Sequence, residues 1–309
     1  METLNRLATE LVDEAIDFAD ELGLAVHTLE GDAAAIDFGV EGPGGIEAGL
    51  LLAEIQTAGL ATIGTRLETA GVGPRPHVEL STDHPVRALL CAGKAGWELS
   101  VGEFEGLGSG PARALVAEEA VYDRTGYRER ADFAVLAVES DRLPDEAVAA
   151  RVAERTGVAE SGVFLPTYRA ASVTGSVVAA SRAAELAVFR LVESGYDPSD
   201  VLSVTGSAPV APVPDAEATA MAWGTDAVAY GGEVHALLET EPDDIEAVAS
   251  TAAAEYERPF GEIFEEVDWE FEAFPRGLFA PARVTVDVVG GPTRVVGATS
   301  EDTLAEAWG

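Results

Sequence analysis

Residues 176–193 read Ser-Val-Val-Ala-Ala-Ser-Arg-Ala-Ala-Glu-Leu-Ala-Val-Phe-Arg-Leu-Val-Glu, and the architecture turns on this stretch. Steps of three and four place Val178, Arg182, Glu185, Phe189 and Val192 on one stripe of a helix. Val177, Ala180, Ala184, Val188 and Leu191 fill the opposite face, so the predicted helix is apolar nearly all round. A helix of that kind belongs inside a protein. Short strands are predicted on either side of it, over 163–165 and 201–204.

Working outward, residues 3–22 predict an amphipathic helix with Thr3 as N-cap and Gly23 as its stop. A strand pair is expected over 25–38, turning at Glu30-Gly31-Asp32. The Gly- and Pro-rich segment 39–45 opens into an apolar run from Ile46. Residues 85–95 predict a helix, 106–113 a Gly-rich turn leading into a short helix behind Pro111, 131–138 a buried strand and 144–155 a helix stopped by Gly157. Beyond the central helix come a proline-rich loop over 205–215, a hairpin over 227–238 turning at Gly231-Gly232, a helix over 245–257 and a last hairpin, 284–289 with 293–296. Strands and helices mix without strict alternation. The expected class is therefore α+β, with two α/β-type subdomains, 1–125 and 126–309.

Arg182 and Glu185 stand three apart in that apolar helix, close enough to touch. Loss of water and a neighbouring guanidinium push a carboxyl in opposite directions, and together they suit a group that exchanges protons near neutrality. The same spacing also fits an ordinary helix-surface ion pair. His27, His77, His84 and His235 are scattered and have no partner at metal-ligand spacing. His84 is the exception: the polar cluster Ser81-Thr82-Asp83-His84-Pro85 reads equally as a functional histidine or as a helix start with Asp83 as cap. Ser109-Gly110-Pro111 before Arg113 reads either as a structural turn or as a helix start with free N–H groups for an anion or a polar ring. No P-loop and no dinucleotide-binding glycine motif is present.

The chain has 309 residues, with 55 Asp and Glu against 19 Lys and Arg and a formal net charge of −36. Lys94 is the only lysine, set in Cys91-Ala92-Gly93-Lys94-Ala95-Gly96-Trp97. An ammonium is a compact donor that arginine does not replace, which makes Lys94 a candidate for binding. So acidic a surface repels nucleic acid and anionic membranes, and neither is an expected partner. A single cysteine excludes an internal disulfide. No signal peptide and no membrane span are read, and the expected location is cytoplasmic.

Several stretches, in this order along the chain, carry a resemblance. They are Gly39-Val40-Glu41 through Gly59-Leu60-Ala61-Thr62, Thr82-Asp83-His84-Pro85, Lys94-Ala95-Gly96-Trp97 and Gly108-Ser109-Gly110-Pro111-Ala112-Arg113-Ala114. They continue with Gly175-Ser176-Val177, Arg182-x-x-Glu185, Thr205-Gly206-x-Ala208-Pro209, Tyr230-Gly231-Gly232, Pro259-Phe260 with Ile263-Phe264, and Phe279-Ala280-Pro281-Ala282. Together they resemble the methenyltetrahydromethanopterin cyclohydrolase family of one-carbon metabolism. The resemblance implies a homotrimer whose subunits each have two α/β-type parts flanking a deep pterin pocket. It implies a hydrolase acting on the C–N bonds of a cyclic amidine, with Arg182 and Glu185 as its catalytic residues. No metal or organic cofactor is implied, since a tetrahydromethanopterin derivative is the substrate carrier. Lys94, Ser109 and Arg113 are candidates for gripping the pterin or the carrier's tail. A tetrahydrofolate-type carrier, or a non-catalytic pterin- or nucleotide-binding trimer, are the alternatives.

Self-repulsion at this net charge loosens a compact chain in dilute buffer, whereas at about 1 M salt the Debye length falls to roughly 3 Å. The expected outcome is a native circular dichroism signal at molar salt that collapses as salt is removed. A full native signal in dilute buffer would refute adaptation to salt.

Overall fold

The computed structural model describes residues 2–71, 73–267 and 274–309. Packing divides the chain into two units, each assembled from two segments. The first is Met1–Thr62 with Val86–Val178, and the second is Ile63–Pro85 with Ala179–Gly309. The expected boundary at residue 125 is thereby corrected, and strand pairing is the reason. Strands Ala137–Glu139 and Val163–Tyr168 hydrogen-bond into the same sheet as Ala34–Asp37 and Phe104–Ser109, which places 126–178 in the first unit. The hairpin of Thr62–Ala70 and Gly73–Thr82 instead pairs with Val201–Pro209, more than a hundred residues later. Each unit joins a mixed sheet to helices, and the α+β expectation holds.

The sheet of the first unit runs Ala25–Thr28, Ala34–Asp37, Val163–Tyr168, Ala137–Glu139, Phe104–Ser109, Trp97–Val101, with Ala134–Val135 paired beside Val163–Tyr168. The predicted 25–38 strand pair forms as an antiparallel ladder. Asp37 ends its strand buried, its carboxylate accepting the backbone N–H groups of Gly39, Val40 and Glu41. That grip holds the start of the Gly-rich segment, and the helix Ile46–Gln56 follows it with Gly45 at its N-cap position. The first helix, Leu4–Asp17, is capped by the Thr3 hydroxyl as expected and buries Leu4, Ala8, Val12 and Ala15. It breaks at Phe18, and a separate turn, Ala19–Leu22, stops at Gly23 in the left-handed region. Buried Asn5 ties this helix down, donating to the Pro111 carbonyl and accepting from the Val135 N–H. Gly106 and Gly108, expected in a turn, lie within a strand between two neighbours, where Gly108 gives room to the Leu136 side chain. The 85–95 helix forms as a wide π-type turn over Val86–Gly93, entered through a bond from the His84 N–H to the Thr82 hydroxyl rather than through Asp83.

The sheet of the second unit runs Thr293–Gly297, Arg283–Val288, Glu233–Leu238, Val201–Pro209, Gly73–Thr82, Thr62–Ala70. The expected last hairpin is present as Arg283–Val288 with Thr293–Gly297. Two other readings are corrected. The loop expected from Thr205 is strand as far as Pro209, because Glu233–Leu238 pairs with it through Ser207 and Gly73–Thr82 through Pro209. Residues 227–231 are not half of a hairpin but the end of the helix Glu217–Gly231, whose small residues bury almost continuously. The 245–257 helix reduces to short 3₁₀ turns, Glu246–Val248 and Ser250–Ala252. Aromatic residues, scarce elsewhere, gather here: Phe274 stacks on Phe260 at 4.8 Å and on Phe264 at 4.3 Å. No helix among the described residues is long and apolar enough to cross a membrane.

Beside that aromatic cluster Asp226 is fully buried. One carboxyl oxygen accepts the Phe260 N–H at 2.9 Å, and the other has no hydrogen-bond partner among the described residues. Burial pushes the carboxyl up to about 7, against the opposing pull of the Phe260 N–H. The folded state thus keeps a proton that the unfolded chain releases at ordinary carboxylate pH. Stability from this group is full below that range and is lost as pH rises through about 7. Asp226→Asn removes the titration, so its unfolding free energy relative to wild type should rise by a few kcal/mol between acid and pH 8. Denaturant melts in constant molar salt check this; a difference independent of pH would show that burial does not raise the Asp226 carboxyl above its unfolded value.

Candidate functional site

The helix predicted over 176–193 is two helices, Val173–Ser181 and Ala183–Glu193, jointed at Arg182. At the joint the Arg182 N–H bonds to Ala179 three residues back, a tightened turn, and the Leu186 N–H then resumes the α pattern by bonding to Arg182. The chain passes from the first unit to the second within the helix before the joint. Arg182 is therefore not mid-helix as expected: it caps the second helix, and Glu185 lies in that helix's first turn. The pair is formed. Arg182 Nε stands 3.9 Å from Glu185 Oε2, with the Glu185 side chain only 8% exposed and that of Arg182 24%. At 3.9 Å the contact is an ion pair beyond hydrogen-bond reach, so the carboxylate keeps acceptor capacity for another donor. Ala183, Ala184, Ala187 and Val188 bury around it. A nearly dry carboxylate beside a cation can take a proton from a bound group and return it.

In the first unit, two of the candidates for carrier binding meet on a residue the sequence reading missed. Arg113 Nε and Nη2 each donate to Glu119 at 2.8 Å, a two-pronged pair, and Lys94 Nζ donates to the same carboxylate at 3.1 Å. Arg113 is 2% exposed, and its third nitrogen donates to the Ala92 carbonyl at the end of the π-type turn. Tyr122 donates to the neighbouring Cys91 carbonyl. Burial alone would raise the Glu119 carboxyl, but the Arg113 bonds and charge, with Lys94, hold it below the ordinary carboxylate range. The cluster borders a cleft of about 320 Å³ lined by Trp97, Glu118 and Arg155 among others. Nothing in the spacing of Glu119 marked it; only the fold brings it to two cations.

Ser109 is 1% exposed and accepts from the Gln56 side-chain amide at 2.8 Å. The free N–H groups expected around it are engaged: Gly110 donates to Ala92, Ala112 to Val135, Arg113 to Gly110 and Ala114 to Pro111. The anion seat considered for this turn is not formed, and the helix behind it is a single turn, Arg113–Val116. His235 pairs with Asp287 at 2.8 Å on the exposed sheet face. Among the described residues no group of three or more His, Cys, Asp or Glu is arranged to hold a metal ion.

The buried Arg182–Glu185 ion pair at the helix joint, within the second α/β unit, is the candidate site. The family model described as Cyclohydrolase (MCH) matches residues 3–308, and the chain belongs to that family. Methenyltetrahydromethanopterin cyclohydrolase of Halobacterium salinarum is 55% identical over 309 residues, covering 100% of this chain and 99% of that protein. The proteins of the same name from Methanocella arvoryzae and Methanocaldococcus jannaschii are 37% and 36% identical, each over 100% of this chain and 99% of their own length.

Glu119→Gln leaves the buried Arg113 without its counter-charge. A fully buried pair broken in this way costs roughly 3–5 kcal/mol. A quarter of the Glu119 side chain is exposed, so a loss of about 2 kcal/mol is expected. The wild-type contribution is present above the ordinary carboxylate range and is lost as pH falls through the lowered value of Glu119. Thermal melts at neutral and acid pH should therefore converge for the two proteins; equal stability at neutral pH would make the cluster a bystander.

Proposed function

We propose that the chain interconverts methenyl- and formyl-tetrahydromethanopterin, with Glu185 as the proton carrier and Arg182 as its partner. Family membership over the whole chain supports the reaction, and the buried, paired carboxylate of Glu185 is the observation that carries the residue assignment. The methenyl carbon lies between two nitrogens as a planar amidinium cation. The oxygen of water bonds to that carbon and one of its protons passes to Glu185, giving a neutral hydroxyl adduct. As the carbonyl forms, the hydroxyl proton is released and one C–N electron pair leaves with its nitrogen, which takes the proton held by Glu185. A cation and water enter; a neutral formyl product and one proton leave. Arg182 orients the carboxylate and stabilises the oxygen as negative charge grows on it. The reaction as drawn uses no metal or organic cofactor.

Lys94 belongs to the same reading as a grip on the carrier. Its side chain is 20% exposed, while Arg113 and Ser109 are buried, Arg113 bonded to the Glu119 carboxylate that Lys94 shares and Ser109 to the Gln56 amide. A net charge of −36 favours approach of the cationic substrate, muted by salt. The homotrimer implied by the resemblance, and a reducing cytoplasm read from the single cysteine, are parts of the same proposal.

Glu185→Gln keeps the shape but not the titratable group. It should fold and bind the pterin while turning over about 10² to 10⁴ times slower, followed by loss of the methenyl absorbance in molar salt. Arg182→Gln should also be slow, and the double variant less than additively so. Normal turnover with a lowered melting temperature would make the pair a structural ion pair. Turnover of a methenyl-tetrahydrofolate in preference to the methanopterin substrate would reassign the carrier.

A further inference from the structure

The strand Val201–Pro209 carries a glycine at its centre, Gly206, whose backbone angles do not require glycine. Glycine inside a strand weakens it and marks close approach of another backbone. Here the approaching backbone is the helix that bears Glu185. A Cβ on Gly206 would lie 2.7 Å from the Ala184 nitrogen, 2.9 Å from its Cβ and 3.1 Å from its Cα. Those atoms belong to the residue directly before Glu185 and to the turn that begins at Arg182. Most of the obstruction is main chain, which has no rotamer to move aside.

The two sides of this contact are not equally free to yield. Gly206 is paired with Val234 on one side and with Leu80 on the other, in the interior of a six-stranded sheet. Moving it would break two ladders. The opposing helix begins at a joint, where the hydrogen-bond pattern is already interrupted and the Arg182 backbone is tightened. A second glycine, Gly224 of the helix Glu217–Gly231, lies against Ala179 just before the joint, where a Cβ would come within 2.9 Å of the Ala179 side chain. The joint is thus seated between two Cβ-free positions, and the firmer seat is the strand.

We infer that Gly206 is a positioning residue for the reaction: its bare backbone fixes the height of the first turn of the Glu185 helix over the sheet, and with it the place of the Glu185 carboxylate. The inference rests on Glu185 being the proton carrier. A side chain at 206 displaces the helix turn rather than the strand, and the carboxylate moves with the turn. A shift of about 1 Å at a reacting group is enough for a loss of roughly 10²-fold.

The test compares Gly206→Ala with Gly231→Ala in molar salt. Gly231 is as crowded, but the atoms nearest an added Cβ there belong to Pro209 of the same strand and to Leu304, not to the Glu185 helix. Both variants should melt lower than wild type. Gly206→Ala alone should lose about 10- to 100-fold in kcat per folded protein, with KM nearly unchanged and the Glu185-dependent limb of the kcat–pH profile displaced. Equal kcat and an unmoved pH profile in Gly206→Ala would overturn the inference. If that variant does not fold, Ala184→Gly takes its place: it removes the methyl nearest the strand and adds no bulk, and it should lower kcat at unchanged KM, with unchanged kcat overturning the idea. Glu185→Gln measured alongside separates the two claims. Full turnover there removes the proton-carrier reading itself, whereas a slow Glu185→Gln beside a normal Gly206→Ala defeats only the positioning role.

Discussion

Close approach of main chain to main chain is the constraint on which the structure depends. The core is built largely from Ala and Val, side chains too short to hold layers at the spacing that Leu and Phe maintain. Density comparable to other protein interiors then requires the backbones themselves to come together. Gly206 under Ala184 and Gly175 against the Arg169 and Ala170 carbonyls are two such points, and at Gly49 the Val177 side chain takes the room a further carbon would need. Each lies on or beside the segment 173–193. The same packing leaves the Glu185 side chain 8% exposed, paired with Arg182.

The excess of acid gives the few cations unusual weight. Most arginines sit on the surface in local pairs such as Arg151 with Glu154 or Arg258 with Glu266, each of small energetic consequence. Arg113 differs. It is buried, held at two points by Glu119, and it closes carbonyls at the end of the π-type turn that leads to Lys94. The one lysine is thereby placed by an arginine, through a shared carboxylate.

Local signals were legible wherever local rules decide. Thr3 as a cap, Gly157 as a helix stop and the turn at 30–32 follow from residue type and periodicity, and all three are present. The Arg182–Glu185 pair was legible because three residues of helix bring two side chains together whatever the surroundings. The break at Arg182 was not, since apolar periodicity runs through it without interruption. The strand character of 205–209 was hidden by Gly206 and Pro209, which read as loop residues until partners on both sides are known. Glu119, too, is ordinary in sequence, and only long-range folding gives it Arg113 and Lys94. The subdomain boundary failed for the same reason: strand partners, not composition, decide where a segment belongs.

The two-segment make-up of each unit bears on how the chain is made. Hairpin 62–82 leaves the ribosome early, yet its partner strand Val201–Pro209 is more than a hundred residues away. Until that strand emerges, one edge of the hairpin has no ladder, and closing so long a loop is the slow part of such a topology. The first unit likewise completes its sheet only when Val163–Tyr168 arrives to join Ala34–Asp37. Neither unit is a contiguous stretch that can be cut out and produced alone. During synthesis the nascent chain must carry an unpaired hairpin, and its dense negative charge then serves a second purpose, keeping exposed edges of neighbouring chains apart.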